Sequence, residues 1–254
     1  PLLWFLIWLE KLLVATPWPV ILFAVGGLAY LGSRSWKLAL GSVLSFALIG
    51  YFGMWEDTMS TIALISVATL LCILIGMPLG IWMARSDRVQ AVITPILDVM
   101  QTIPIFVYLL PVLMLLGIGK VPGLIAVCVY AMPPMVRLTN LGIRLVDRDV
   151  LEAANAFGAN DKQKLFGVQI PLALPNIFAG INQTIMMALA MVVIASMIGV
   201  RDLGIPVLQA IQNQYLALGF MNGLAIVGLA IIFDRVSQKY GKRLQEHRGG
   251  HDHG

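Results

Sequence analysis

The sequence predicts an all-α fold, a polytopic transmembrane helical bundle of about seven spans, and three observations predict it. Apolar residues make up 59% of the 254 residues and charged residues 12%, with a mean hydropathy of +0.88, well outside the balance of a soluble domain. Seven apolar segments approach or reach the roughly 20 residues that a bilayer span needs. The basic residues gather on one side of those segments.

Residues 2–14 are apolar but too short to span comfortably. They have no basic leader and carry Glu10 and Lys11 near their end, so they read as an interfacial helix with Trp4 and Trp8 at headgroup depth rather than as a cleaved signal. Spans are expected at 18–31, 38–52, 61–83, 92–116, 121–135, 172–198 and 220–233, the first and fifth being short. This divides the chain into an interfacial helix with accessory transmembrane helices (1–55), a core (56–241) that contains a polar loop at 137–171, and a hydrophilic tail (242–254). Two His of that tail, 251 and 253, offer weak metal binding at most in what reads as a disordered end.

Charge placement orients the bundle. With Glu56 and Asp57 outside and Arg85 to Arg88 inside, alternation leaves only Lys11, Lys120 and Arg201 of the 17 Lys and Arg outside. The N-terminus is then outside, and the loop 137–171 and the C-terminus are cytoplasmic. The pI near 9.2 follows from this bias; no basic domain with interleaved aromatics exists to bind nucleic acid.

Several chemistries are excluded. All three His lie in the tail, so the interior has no imidazole to ligate a metal or haem or to activate a serine. Cys72 and Cys128 lack C-x-x-C spacing and read as small packing residues, not a zinc site or a disulfide framework. Gly117-Ile118-Gly119-Lys120 lacks the phosphate-loop pattern, so the chain itself does not hydrolyse ATP. Catalytic and metal-ligating residues are therefore expected to be none.

The polar loop holds the most specific pattern: Glu152-Ala153-Ala154-Asn155-Ala156-Phe157-Gly158, nine residues, then Val168-Gln169-Ile170-Pro171. Asp149 can cap a short helix whose third residue is Glu152, a variant of the capping box. The alanines leave it little bulk, so it can lie in a groove on a partner, and Gly158 permits a left-handed turn that ends it. Asn160 can cap a second short helix, 161–167, and Pro171 suits the first turn of the next span.

In the interior, Gly76 and Gly80 form a small-xxx-small face with Pro78 between them, and Ala195 and Gly199 repeat the spacing. Close helix packing is the plain explanation, with Ala195 and Gly199 expected to allow approach of a second copy. Gln101, Thr102, Asn182, Gln183, Thr184 and Ser196 either line a path for a polar, net-neutral solute or make interhelical hydrogen bonds. The scarcity of intramembrane charge and the lack of an internal repeat argue against a proton- or sodium-coupled carrier.

The loop resembles the EAA loop of ABC-importer permeases. From about Glu56 to Gly241 the chain resembles, more narrowly, the permeases of glycine betaine/proline betaine-type importers, the ProW or OpuA family. The resemblance is carried by Gly76-Met77-Pro78-Leu79-Gly80, Asp98-Val99-Met100-Gln101-Thr102-Ile103-Pro104, Val136-Arg137-Leu138-Thr139-Asn140 and Ala179-Gly180-Ile181-Asn182-Gln183-Thr184. It implies a five-helix permease core with cytoplasmic coupling helices in a bacterial inner membrane, and coupling residues Glu152, Ala153, Ala154, Gly158, Val168, Ile170 and Pro171.

It further implies a homodimer of permeases and two copies of a cytoplasmic ATPase that carries the ATP and Mg, with no cofactor in this chain. An external binding protein would deliver a quaternary or methylated amine: glycine betaine, proline betaine, trimethylamine N-oxide, choline or carnitine. A stand-alone secondary carrier and a non-transporting membrane scaffold are the rival readings.

Overall fold

A computed structural model describes residues 2–249, so the tail residues His251 and His253 lie outside the described residues. Every described element is helical. The first two, α1 (Leu2–Ala15) and α2 (Trp18–Ser33), meet at 106°. Pro17 makes this corner, since it has no N–H with which to continue the α1 ladder. As a separate helix, α1 packs on the core: Glu10 forms an ion pair with Lys120 and accepts a hydrogen bond from Ser60 Oγ at 3.2 Å.

Next come α3 (Trp36–Tyr51), α4 (Trp55–Arg85), α5 (Asp87–Thr102), α6 (Ile105–Leu116) and α7 (Lys120–Arg144). Glu56 and Asp57 occupy the first turn of α4 and Arg85 its last, each where the helix dipole favours its charge. The expected span 92–116 is two helices bent by 92°. Pro104 lacks the N–H that a continuing helix needs and drives Ile103 to an extended conformation, φ −64° and ψ 130°. Hydropathy, which reads composition along the chain, does not register the change of direction.

The expected span 172–198 also differs. Its helix, α10 (Ile170–Ala190), stops eight residues early, a break at Met191 leads into α11 (Val192–Met197), and an unexpected α12 (Gly204–Asn213) precedes the last helix, α13 (Leu216–Gly249). Four helical runs are long and apolar enough to cross a bilayer, or six if each bent pair counts as one span, so the expected seven falls to between four and six among the described residues.

The centre of the molecule is α7, flanked by α4 and α10. Glycine lets α4 approach it closely. A β-carbon on Gly80 would lie 2.7 Å from both Thr139 Cβ and the Val136 carbonyl, and one on Gly76 would lie 3.1 Å from Met135 Cγ. The small-xxx-small face is thus a packing seam within one chain. Cys72 and Cys128 meet in the same seam, each thiol directed at a carbonyl of the facing helix 3.7 Å away.

Ala195 and Gly199, expected at the contact with a second copy, are used inside the chain instead. Ala195 has no exposed surface, and Gly199 abuts Ile118 and Gly119. The turn that contains Gly199 is clasped from several sides: Gly119 N–H donates to the Ile198 carbonyl at 3.0 Å, and Leu203 N–H donates to Thr61 Oγ1 at 3.0 Å.

Candidate coupling site

Between α7 and α10 lie α8 (Arg148–Ala156), α9 (Asp161–Lys164) and a π-helical turn (Leu165–Gln169) that runs on into α10. The cap of α8 is Asp147, whose carboxylate accepts from Asp149 N–H at 2.9 Å. The capping expected of Asp149 thus falls to a residue two positions earlier. Glu152 is then the fifth helical residue, too far along to reach back to the cap, and it makes no hydrogen bond or ion pair among the described residues. Its carboxylate is exposed, as is Ala153, while Ala154 is half-buried.

The end of α8 is a Schellman turn. Ala159 N–H donates to the Ala154 carbonyl at 3.0 Å and Gly158 N–H to the Asn155 carbonyl at 2.9 Å. Gly158 sits at φ +78°, as its place in the pattern requires. A full capping box then opens α9: Asn160 Oδ1 accepts from Gln163 N–H and Gln163 Oε1 from Asn160 N–H, both at 2.9 Å.

The π turn, absent from the sequence reading, makes 161–190 one continuous helical run. It widens the helix just ahead of Pro171, whose ring would otherwise meet the carbonyl four residues earlier. Val168 and Pro171 are half-buried, and Ile170 packs against a core cluster that includes Met135, Ile143 and Ile177. The helical run from α9 is thus continuous up to its packing against the central helices. No residue of α8 is buried, and Phe157 at its end is 92% exposed, so a polar helix with an apolar tip projects from the bundle.

Basic residues tie together the helix ends beside this segment. Arg144 donates to the Met83 carbonyl at 2.9 Å and to Asn140 Oδ1 at 3.1 Å and pairs with Asp87 at 2.7 Å, joining the ends of α7, α4 and α5. Arg137 pairs with Asp98. Asp161 lies 2.9 Å from Lys164 and 3.8 Å from Arg85; the lysine first, then the arginine, hold its carboxyl below the usual carboxylate range. Spacing of basic residues along the chain gave no signal for these contacts.

The six path candidates do not converge. Asn182 and Gln183 line one cavity of about 500 Å³ between α7, α10 and α13. Gln101 and Thr102 are exposed at the end of α5, where the Thr102 hydroxyl donates back to the Asp98 carbonyl at 2.9 Å. Thr184 is wholly buried in the bundle, and Ser196, also buried, donates to the Val193 carbonyl at 2.7 Å.

A bundle of apolar helices around one central helix, with a capped polar hairpin held clear of it, is the architecture of a polytopic membrane protein. Residues 76–246 match the family described as binding-protein-dependent transport system inner membrane component, and the chain belongs to that family. It is 48% identical over 233 residues to the glycine betaine/proline betaine transport system permease protein ProW of Escherichia coli K12, covering 92% of this chain and 66% of the relative.

The glycine betaine/carnitine transport permease protein GbuB of Listeria monocytogenes is 46% identical over 89% of this chain and 81% of its own length. A trimethylamine N-oxide transport system permease protein, TmoV of Ruegeria pomeroyi, is 39% identical over 91% of this chain and 35% of its own. The chain spans 66% and 58% of the two ProW relatives it matches. Its fold is also that of an inward-facing structure of the MetNI methionine ABC transporter, at 18% identity and a TM-score of 0.67 over 75% of this chain and 95% of that one.

Proposed function

We propose that this chain is the permease subunit of an ATP-driven importer for a quaternary or methylated amine of the glycine betaine, trimethylamine N-oxide, choline or carnitine kind. The observation that carries the reading is the segment α8–α9. Each of its two helices opens on a side-chain cap, α8 ends in the left-handed Gly158 and bears Glu152, which has no partner among the described residues, and α9 joins α10 through continuous helix. A projection with no fully buried residue suits a mechanical link to a partner better than any role inside the bundle. The substrate class is supported by the names of the relatives, which include glycine betaine, carnitine, choline and trimethylamine N-oxide permeases.

On this reading two copies of the chain meet across a two-fold axis, and two ATPase subunits that bind ATP and Mg receive the two coupling segments. A binding protein delivers the amine from outside. Glu152, Ala153, Ala154, Gly158, Val168, Ile170 and Pro171 carry coupling, residues 1–55 are accessory, and the bias of Lys and Arg sets the N-terminus outside and the C-terminus in the cytoplasm. The test is uptake of labelled glycine betaine and trimethylamine N-oxide by proteoliposomes containing the chain with its co-purified ATPase and binding protein. ATP-dependent uptake of either is expected; uptake driven by a proton or sodium gradient without ATP would favour the secondary carrier.

A further inference from the structure

Helix α5 has three faces. On the first, Leu97 is buried against Met83 of α4 and Val136 of α7, with Val89, Ile93 and Met100 packed on the same cluster. On the second, Val92, Ile96 and Val99 are exposed and apolar, as suits a side turned to lipid. The third is a polar stripe of Asp87, Gln90, Thr94, Asp98 and Gln101, which recurs every three or four residues along the whole helix. Asp98 and Gln101 are exposed, and the Gln101 side-chain amide has no hydrogen-bond partner among the described residues.

A helix with one polar face can lie flat on a membrane surface, but α5 climbs beside α7 instead. Arg144 pairs with Asp87 at 2.7 Å, and Arg137 pairs with Asp98. The two arginines are seven residues apart on one face of α7 and the two aspartates eleven apart on one face of α5, so the helices run antiparallel between the pairs. Asp98 therefore stands about 10 to 16 Å above the helix ends, measured along α7 and α5 respectively, inside the ~30 Å hydrocarbon core. Yet the side chains of Arg137 and Asp98 are 41% and 55% exposed. An ion pair turned to lipid at that depth is costly. The long stem of Arg137 can carry its charge toward the surface, but the short Asp98 cannot and holds it down. Packing of α5 on α7 does not account for an exposed ion pair and an unpaired amide at this depth, whereas contact with water does.

We propose that the polar stripe of α5 lines a water-filled passage that opens at the coupling end of the bundle and reaches the bend at Pro104, with Asp98 and Arg137 as its charged wall and Gln101 as its innermost polar contact. Each acid of the stripe is matched by an arginine, so the wall is polar without net charge and wets a dipolar solute without trapping an ion. The direction of travel rests on the importer reading above. Asp87 is two residues from Arg85, which lies 3.8 Å from Asp161 of α9, so the stripe begins beside the coupling segment and solute leaves along it.

Single cysteines in the full chain test the passage. A maleimide reacts with the thiolate, which forms in water and not in hydrocarbon, and a charged maleimide does not cross the membrane. In vesicles oriented with the coupling end toward the medium, Thr94→Cys and Gln101→Cys should be labelled about tenfold or more faster than Leu28→Cys, which is 67% exposed on the apolar α2. The unsubstituted chain, with Cys72 and Cys128 both buried, is the blank. Labelling of Gln101→Cys no faster than that of Leu28→Cys would overturn the passage, because it would put the stripe against lipid or against a second copy. A second measurement reads function. Gln101→Trp, which fills the inner end of the passage, should abolish ATP-driven uptake by the assembled importer while the chain stays in the membrane, and full uptake by that variant would also overturn the proposal. Uptake absent from the unsubstituted importer would strike the importer reading instead and leave the labelling pattern standing.

Discussion

Asp202 Oδ1 accepts a hydrogen bond from Gly204 N–H at 2.8 Å in the turn between α11 and α12, with the whole Asp202 side chain shut off from solvent. Its second oxygen has no hydrogen-bond partner among the described residues. Burial pushes this carboxyl up to about 7; the Gly204 N–H opposes the rise and the negative charge of Asp57 adds to it. This turn is clasped by Thr61 and Gly119, so the state of one carboxyl bears on how firmly four elements are joined.

The folded chain holds the Asp202 proton at pH values where the unfolded chain, with an ordinary carboxylate value of 3.8, has lost it. Stability should fall as pH rises from about 4 to about 7 and level off beyond. Asp202→Asn keeps the shape and removes the charge, so it should stabilise the chain by about 1–3 kcal/mol at pH 8 and flatten the slope between pH 4 and 7. Thermal unfolding across that range is the measurement. An unchanged slope in the variant would assign it to other groups.

Gly158→Leu should leave the chain in the membrane yet uncouple it from ATP hydrolysis. Nothing lies within 4 Å of a β-carbon built at Gly158, so the effect comes from the backbone at φ +78°, about 1–2 kcal/mol against a branched residue. Asn tolerates this conformation, and Gly158→Asn should retain most coupling. Substrate-stimulated ATPase activity of the assembled complex reads both variants, and normal stimulation in Gly158→Leu would refute the idea.

Glu152 offers a choice that the structure narrows. With Asp147 as the cap, Glu152→Gln and Glu152→Ala should reduce transport equally and leave thermal stability unchanged, as expected if the carboxylate meets a basic group on a partner. Transport kept in Gln and lost in Ala would restore a hydrogen-bonding role.

Gly80→Ala should destabilise the chain by about 1–3 kcal/mol, because the added carbon meets the Val136 carbonyl at 2.7 Å and backbone cannot swing aside as a side-chain tip can. Gly41→Ala, which meets nothing within 4 Å, is the control and should be neutral or slightly stabilising in mid-helix. Denaturation in detergent compares the two.

Much of this protein was legible in its residues because the signals are local. Apolar content gave the membrane bundle, and Gly158 and Asn160 marked the turn and the cap of the coupling segment, since a left-handed turn and an N-terminal cap are settled within a few neighbouring positions. The spacing of Gly76 and Gly80 likewise announced a packing seam, though not which helix would fill it. What tertiary structure alone decided was direction and company. The bend at Pro104 turned one expected span into two helices. Cys72 and Cys128 became neighbours across 56 residues, Arg144 found the Met83 carbonyl across 61, and Asp202 was enclosed by helices from distant parts of the chain. Burial and partnership depend on chain crossings that no local window samples, which is why Asp202, the acid that bears the pH dependence, shows its enclosure only in the folded molecule.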